Sequence, residues 1–210
     1  MGRKSPARSA SSAGLVALAL GGCALFQTRG DPPKLYALEA APPRTAAGGG
    51  AAGPTLLVSE PRARAGFDTP AMVYVRRTHE LESFARSRWV DSPARMLAPL
   101  LIHSLEGGGR FRAVVLAPSG VAAGVRLDTE IESLVQEFTV QPSRVRFALR
   151  AQLVDLTARH ILATRVFEAL EDAPSEDPYG GVIAANRAVV RVLGELSDWC
   201  GAEVRTAGRE

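Results

Sequence analysis

The stretch Val125-Arg126-Leu127-Asp128-Thr129-Glu130-Ile131 alternates apolar side chains, or threonine, with charged ones. A second alternating stretch runs from Arg144 to Leu153, where apolar residues stand between arginines and a glutamine. Successive side chains of a β-strand point to opposite faces of the sheet. The two stretches therefore predict a long antiparallel hairpin with one apolar face toward a core and one charged face toward water.

The alternation changes phase near Ser133. Beyond this point Leu134 and Phe138 are the apolar positions, so the face that carries apolar residues changes parity. One extra residue in one strand of an antiparallel pair produces such a slip. We therefore expect a β-bulge near Ser133.

The charged face of the hairpin carries acids on one strand and arginines on the other. Cross-strand pairs of opposite charge are ordinary sheet stabilisers, each worth well under ~1 kcal/mol, and this is the interpretation we favour. A metal site or a catalytic acid pair is one alternative, and a partner-binding surface is another. The acids are Asp128, Glu130 and Glu132, the arginines are Arg144, Arg146 and Arg150, and the candidate partner surface consists of Glu130, Glu132, Arg146 and Arg150.

Shorter strands are expected on both sides of the hairpin. Each is a short run of apolar and β-branched residues between proline, glycine or polar residues, which is the pattern of a strand. Such runs occur at residues 34–38, 55–60, 71–77, 80–90, 111–116 and 161–170.

Two helices are also predicted. The first starts at Ser92-Pro93, with serine as the N-cap and proline as the first helical residue, and it ends at Gly107-Gly108-Gly109. Pro99 lies inside it and is expected to bend or open its second turn, because proline has no backbone donor. The second and longest helix should cover Val182 to Glu203, which has an apolar stripe, after a polar loop from Ala173 to Gly181.

The start of the chain has the order of a bacterial export signal. Three basic residues and no acid precede an apolar run from Ala13 to Leu20, as in a secretory signal peptide. Leu20-Gly21-Gly22 then leads to Cys23, which matches the lipobox at which a lipoprotein is cleaved and acylated. The run is far shorter than the about 20 residues that a membrane-spanning helix needs. Residues 1–22 are thus predicted to be the signal peptide and Cys23 the lipid attachment site.

The lipid anchor would decide where the protein works. A diacylglycerol on the sulfur and a fatty acid such as palmitate on the amine give several acyl chains, enough for a stable membrane anchor. Ala24 takes the place of the aspartate that usually retains a lipoprotein in the inner membrane, which favours the periplasmic face of the outer membrane of a Gram-negative bacterium. Residues 23–33 are the acylated N-terminus and its tether, of which Ala24 to Pro33 reaches roughly 30 Å at about 3.3 Å per residue. The domain, residues 34–205, should therefore lie close to its membrane.

Removing the signal peptide also changes the charge. The chain has 25 basic and 22 acidic residues, but three of the basic ones precede Cys23, so the mature chain is formally neutral. A neutral chain offers no general electrostatic basis for binding nucleic acid, and we expect none. With Cys23 acylated, Cys200 has no partner for an intramolecular disulfide and should be a small buried residue. Trp89 and Trp199 are likewise predicted core residues.

No catalytic or cofactor motif stands out. The three histidines, His79, His103 and His160, lack the spacing of metal ligands, and no serine lies in a G-x-S-x-G motif. Residues 48–53 match G-x-G-x-x-G literally, but a strand follows instead of the helix that the dinucleotide motif requires. We therefore expect no enzymatic activity, no metal and no cofactor.

Several short pieces follow one another along the chain in a set order. They are the lipobox, Tyr36-Ala37-Leu38, Phe67-Asp68-Thr69-Pro70, Val73-Tyr74-Val75-Arg76, Arg88-Trp89, Met96-Leu97, Gly109-Arg110-Phe111 to Val114, and residues 127–138, 149–153 and 186–199. Their order and spacing resemble those of the ABC-type transport auxiliary lipoproteins related to PqiC and YmbA. The glycine tract 46–53 and Pro99 depart from the pattern of that family.

The resemblance implies a fold and a function. Such proteins are similar in fold to the N-terminal domain of TolB, so we expect a single α/β domain with a mixed, largely antiparallel sheet and packed helices. They accompany ABC permeases and MCE-domain proteins that move lipids between membranes. This implies a non-catalytic subunit that docks an MCE-domain protein or the ABC permease and ATPase complex and could form homo-oligomers. The alternative is an envelope-assembly or peptidoglycan-associated lipoprotein with no transporter.

Overall fold

The computed structural model describes residues 1–2, 31–39 and 53–208. The chain divides into Met1–Asp31 and Pro32–Glu210, and all described helices and strands belong to the second unit. The predicted signal peptide, the lipobox with Cys23 and nearly all of the glycine tract lie outside the described residues. In chain order the elements are β1 (Lys34–Tyr36), β2 (Thr55–Val58), β3 (Arg62–Ala63), β4 (Ala71–Val75), β5 (Glu82–Trp89), α1 (Pro93–Gly107), β6 (Ala113–Leu116), β7 (Val125–Glu137), β8 (Arg144–Asp155), β9 (His160–Asp172) and α2 (Pro178–Ala207).

One long strand, β7, joins the parts of the sheet. β8 pairs with it in antiparallel register along its whole length, and β9 pairs with β8 in the same way. On its other edge β7 pairs with three short parallel strands in succession, β2, β3 and β4. β6 extends the sheet beyond β2, and β5 and β1 extend it beyond β4. The sheet is mixed, as expected, with its longest ladders antiparallel and its short pairings mostly parallel.

The bulge predicted near Ser133 is present, and its extra residue is Glu132. Ile131 lies opposite Leu149 and Ser133 lies opposite Ala148, so Glu132 has no residue opposite it. The buried positions of β7 change parity at this point. The bulge thereby keeps apolar side chains on one face along the whole strand.

Both helices contribute to the core on the inner face of the sheet. One buried cluster contains Leu127 of β7, Leu101 of α1 and Leu193 of α2. Two hydroxyls join the helices: Ser104 donates to the carbonyl of Leu193 at 2.9 Å, and Ser197 donates to the carbonyl of Ser104 at 3.3 Å. The described part of the chain is thus a two-layer α/β domain, which confirms the predicted fold class.

The residues predicted to be core are buried. Trp89, Trp199 and Cys200 are at most 8% exposed, and the rings of Trp199 and Phe167 meet edge to face with centroids 5.6 Å apart. Burial raises the pKa of the Cys200 thiol to about 12. Cys200 therefore stays protonated and behaves as a small apolar residue.

The longest helix begins earlier than the sequence interpretation placed it. Pro178 is its first residue, and Asp177 caps it by accepting a hydrogen bond from the backbone N–H of Gly180 at 2.7 Å. The predicted loop from Ala173 to Gly181 is correspondingly shorter. Asp177-Pro178 is a helix-start signal of the same kind as Ser92-Pro93. The start was missed because the two glycines that follow, Gly180 and Gly181, are typical of a loop.

The first helix begins where it was predicted, at Pro93, with Ser92 in the N-cap position but with no side-chain capping bond. It then continues through Pro99 from Pro93 to Gly107, so the expected opening of its second turn is not present. Pro99 and Arg95 both lie on the exposed side of the helix. Water can therefore satisfy the Arg95 carbonyl, which is the group that loses its donor at Pro99.

Two glycines of α2 provide a matched test of packing at the helix start. A Cβ on Gly180 would collide with the backbone carbonyl oxygen of Ser175, whereas a Cβ on Gly194 would meet nothing within 4 Å. We expect Gly180→Ala to lower the free energy of unfolding by about 1–3 kcal/mol, because the backbone must move. Gly194→Ala should raise it by about 0.5–1 kcal/mol, because alanine has the higher helix propensity. Urea denaturation monitored by circular dichroism measures both, and equal effects would contradict this packing.

Candidate functional site

The candidate site lies on the sheet face opposite the helices, formed by β7, β8 and β9 and here called the outer face. The register places Glu130 opposite Arg150, and Arg150 opposite Val166 of β9. Arg146 lies on the same face as Arg150, because the two are four residues apart on one strand and side chains an even number of residues apart share a face. Three of the four predicted partner-surface residues thus share the outer face, and Glu132 lies at the bulge.

A carboxylate that the sequence interpretation did not single out is the centre of the charge pairing. Glu137 accepts hydrogen bonds from Arg144 at 2.8 Å and from Arg146 at 2.7 Å, and Arg146 also donates to Glu168 of β9 at 2.7 Å. Burial acts to raise the pKa of Glu137, but the hydrogen bonds from Arg146 and Arg144 outweigh it and lower the pKa. This cluster therefore ties together all three strands of the outer face.

The other acids pair differently from the prediction. Glu132 pairs with Arg64, which follows β3, at 2.6 Å, instead of with an arginine of β8. Asp128 accepts from Ser59 and from its neighbour Arg126. The bulge explains the partner of Glu132, since it places this residue outside the ladder that joins β7 to β8, whereas Asp128 lies opposite the uncharged Gln152.

Glu130 was expected to pair with an arginine of the neighbouring strand, but it forms no ion pair with Arg150. The two residues lie opposite each other in the ladder, yet among the described residues neither has a salt-bridge partner. Arg150 is exposed, and exposed apolar side chains lie along β9 next to it. Val166 is 47% exposed and Leu170 is 37% exposed. The outer face thus combines an unpaired guanidinium with two exposed apolar side chains of the edge strand β9.

A second surface feature is a groove between β1 and the first half of α2, here called the β1–α2 groove. Its volume is about 800 Å³. Asn186 fixes its floor, because its side-chain oxygen accepts from the backbone N–H of Glu39 at 2.9 Å and its amide donates to the carbonyl of Ala37 at 3.2 Å. The lining residues are Leu35, Tyr36, Ala37, Glu39, Tyr179, Val182, Ile183, Asn186, Arg187 and Val190.

Catalytic chemistry finds little support in the described part of the chain. His79 lies between β4 and β5, His103 on α1 and His160 on β9. In these described ranges no three His, Cys, Asp or Glu residues come together as ligands for a metal ion. Nor does any described helix have the length and apolar character needed to cross a membrane.

Sequence reasoning missed both Glu137 and the β1–α2 groove. Glu137 ends β7 and lies opposite Arg144, so counting the hairpin register back from its turn would have found the pair. The groove combines residues from two ends of the chain, because Glu39 and Asn186 are 147 residues apart. No local pattern in the sequence predicts that contact.

Glu137 and Glu132 offer a matched pair of charge tests. Glu137→Gln should lower the free energy of unfolding by about 1–2 kcal/mol, because it removes a partly buried carboxylate that two arginines share. Glu132→Gln should lower it by less than about 1 kcal/mol, because its partner Arg64 is largely exposed. Urea denaturation at neutral pH measures both values, and a larger loss at Glu132 would contradict the assignment.

The effect of Glu137→Gln should also depend on pH. A carboxyl group whose pKa is lowered by folding stabilises the protein above its ordinary pKa, here 4.5, and loses that contribution as the pH falls through the lower folded value. The difference between wild type and variant should therefore be full at neutral pH and shrink as both proteins are acidified below that value. A difference that stays constant would mean that the loss reflects packing instead of charge.

The sequence matches a family model described as ABC-type transport auxiliary lipoprotein component, over residues 36–197. The match begins inside β1 and ends inside α2, so it covers nearly the whole described domain. No curated protein matches the chain.

Solved structures with a similar fold include a protein of Xanthomonas campestris from the family DUF330. It has 20% sequence identity to this chain and a TM-score of 0.76, and the similarity covers 84% of this chain and 99% of that one. An uncharacterized protein has 10% identity and a TM-score of 0.64, with 81% of this chain and 99% of that one covered. At these identities the likeness establishes the fold alone, a mixed sheet with packed helices.

Proposed function

The chain belongs to the ABC-type transport auxiliary lipoprotein family, and on that basis we propose that it is a non-catalytic, lipid-anchored subunit of an ABC transport system that moves lipid. The family match is the observation that carries the proposal. The partners we propose are an MCE-domain protein and the ABC permease and ATPase complex. The chain would supply position and a docking surface, while the partners supply energy and the transport path.

We place the protein on the periplasmic face of the outer membrane, attached through Cys23. The lipobox supports the attachment, and Ala24 after the cysteine supports the outer membrane. β1 begins at Lys34, eleven residues after Cys23. At about 3.3 Å per residue such a tether spans less than about 40 Å. A domain held this close to its membrane can meet a partner that approaches from the other side of the periplasm.

The outer face is the docking surface in this proposal. Protein interfaces favour arginine and exposed apolar side chains that become buried together. Arg150 fits this description, because it is exposed, lacks an ion pair among the described residues and lies next to Val166. Glu130, Glu132 and Arg146 would form the charged rim around it. Arg146 is already held by Glu137 and Glu168, so Arg150 is the residue on which docking should depend most.

Lipid attachment at Cys23 can be tested by metabolic labelling. Cells given an alkyne fatty acid should label the wild-type protein and should fail to label Cys23→Ser, because the thiol that receives the diacylglycerol is gone. Cys200→Ser is the matched control and should keep the label, since Cys200 is buried. Labelling of the Cys23→Ser protein would end the proposal of an anchor at this residue.

Docking through the outer face can be tested by charge reversal. Arg150→Glu should abolish recovery of transporter subunits in a pull-down of the acylated protein from membranes, because an acid replaces the proposed anchor. Arg112→Glu is the control, since Arg112 is also exposed but precedes β6 at the opposite side of the sheet. Circular dichroism checks that both variants keep the fold.

The same pull-down tests the wider proposal. MCE-domain and permease subunits should accompany the wild-type protein and the Arg112→Glu variant. Recovery of peptidoglycan or assembly factors with no transporter subunit would instead favour the alternative function in envelope assembly. Loss of binding in both charge variants would count against the outer face as a specific surface.

A further inference from the structure

One stripe of α2 lines the β1–α2 groove, next to the edge strand β1. Tyr179, Val182, Ile183, Asn186, Arg187 and Val190 line it and recur every three or four residues, which puts them on one side of the helix. From Tyr179 to Val190 the helix rises by about 16 Å, at about 1.5 Å per residue. The groove therefore extends for about 16 Å along α2, and most of its lining residues are apolar.

Two large apolar side chains at the groove are exposed. Leu35 is 62% exposed and Tyr179 is 57% exposed, and the rings of Tyr179 and Tyr36 lie 6.3 Å apart. Tyrosine is enriched where an apolar environment meets water, as at a membrane surface, because its ring is apolar and its hydroxyl polar. A volume of about 800 Å³ is in the range of small-molecule sites.

One base and one acid stand together in this apolar lining. The backbone N–H of Glu39 donates to Asn186 at 2.9 Å, and Arg187 follows Asn186 on the helix, so the two charged residues lie at the same level of the groove. Among the described residues neither Glu39 nor Arg187 has an ion-pair partner. A guanidinium binds phosphate well, and a carboxylate complements an ammonium group. This arrangement matches a zwitterionic headgroup.

We propose that the β1–α2 groove binds a glycerophospholipid, with an acyl chain along α2 between Leu35, Tyr179 and Ile183 and with the headgroup phosphate at Arg187 and its ammonium at Glu39. The inference rests on the proposed function in one respect, the lipid anchor. β1 forms one wall of the groove and begins eleven residues after Cys23. The tether would thus hold the groove within reach of a bilayer that contains such lipids.

A peptide strand is a less suitable occupant than a lipid. An added strand would need free backbone groups at the end of β1. The side chain of Asn186 already uses two of these groups, the N–H of Glu39 and the carbonyl of Ala37. An acyl chain needs no backbone hydrogen bonds, so it can fill the groove without breaking this contact.

Photo-crosslinking in cells tests the proposal with the full acylated protein. p-Benzoylphenylalanine is placed at Ile183 in the groove and, as a control, at Val166 on the outer face, and the cells are labelled with ³²P-phosphate. Irradiation should attach ³²P-labelled phospholipid to the Ile183→p-benzoylphenylalanine protein and none to the Val166→p-benzoylphenylalanine protein. Both sites are partly exposed, so exposure alone cannot produce the difference.

The headgroup assignment is tested in the crosslinkable protein by neutralising one arginine at a time. Arg187→Gln should reduce the phospholipid adduct roughly tenfold, because a charge-assisted hydrogen bond to phosphate is lost. Arg205→Gln is the matched control, since Arg205 is exposed on the same helix outside the groove, and it should leave the adduct unchanged. Equal adducts in both variants would overturn the assignment of the phosphate to Arg187.

Other occupants give other results. An adduct that adds the mass of a lipid on irradiation but carries no ³²P would identify a lipid without phosphate and overturn the proposal, and so would an adduct of the mass of a protein or no adduct at Ile183. The test is independent of docking. If a phospholipid adduct forms but the pull-down recovers no transporter subunit, the groove assignment holds and the transporter proposal fails. If the pull-down succeeds but no adduct forms, only the groove assignment fails.

Discussion

The bulge at Glu132 decides which side chains of β7 meet the core and which meet water. β3 pairs with β7 before the bulge and β4 pairs with it after the bulge. A shift of one residue in a strand moves every later side chain to the other face. If all residues of β7 alternated regularly and Glu132 were paired like the others, Leu134 would face outward and the charged Glu137 would face the core. The bulge at this single position therefore lets the strands that pair with β7 before it and the strand that pairs with β7 after it share one core.

The same shift creates the charge cluster of the outer face. It turns Glu137 outward, where Arg144 and Arg146 both reach it, and Arg146 then reaches Glu168 on β9. β9 pairs with β8 alone among the described strands, so this cluster is a side-chain link between the edge strand and the centre of the sheet. Arg150, further along β8, is left without such a partner. The outer face thus has paired charges near Glu137 and an unpaired guanidinium at Arg150.

The sequence predicted those features that depend on local alternation or on local start signals. The hairpin, its bulge and the start of α1 at Ser92-Pro93 belong to this group, because each is recorded in consecutive residues. The partners expected for Asp128 and Glu132 were wrong, because these acids reach Ser59 and Arg64, which follow the short parallel strands on the other edge of β7. The two-residue strand β3 and the parallel pairing of β2, β3 and β4 with β7 were not predicted, because they depend on contacts between distant parts of the chain.

The β1–α2 groove shows why surface sites are harder to predict than cores. Tyr36 fits a strand and Val182 fits a helix stripe, and nothing in either pattern brings them together. Asn186 makes the contact, since it bonds to both Ala37 and Glu39 while its own helix is anchored in the core through residues such as Val189. β1, the strand that follows the predicted tether, is therefore fixed to the longest helix of the domain. A lipid bound in the groove would contact a strand, β1, that is held in place through α2 and the core. Little of its binding free energy would therefore be lost in ordering the site.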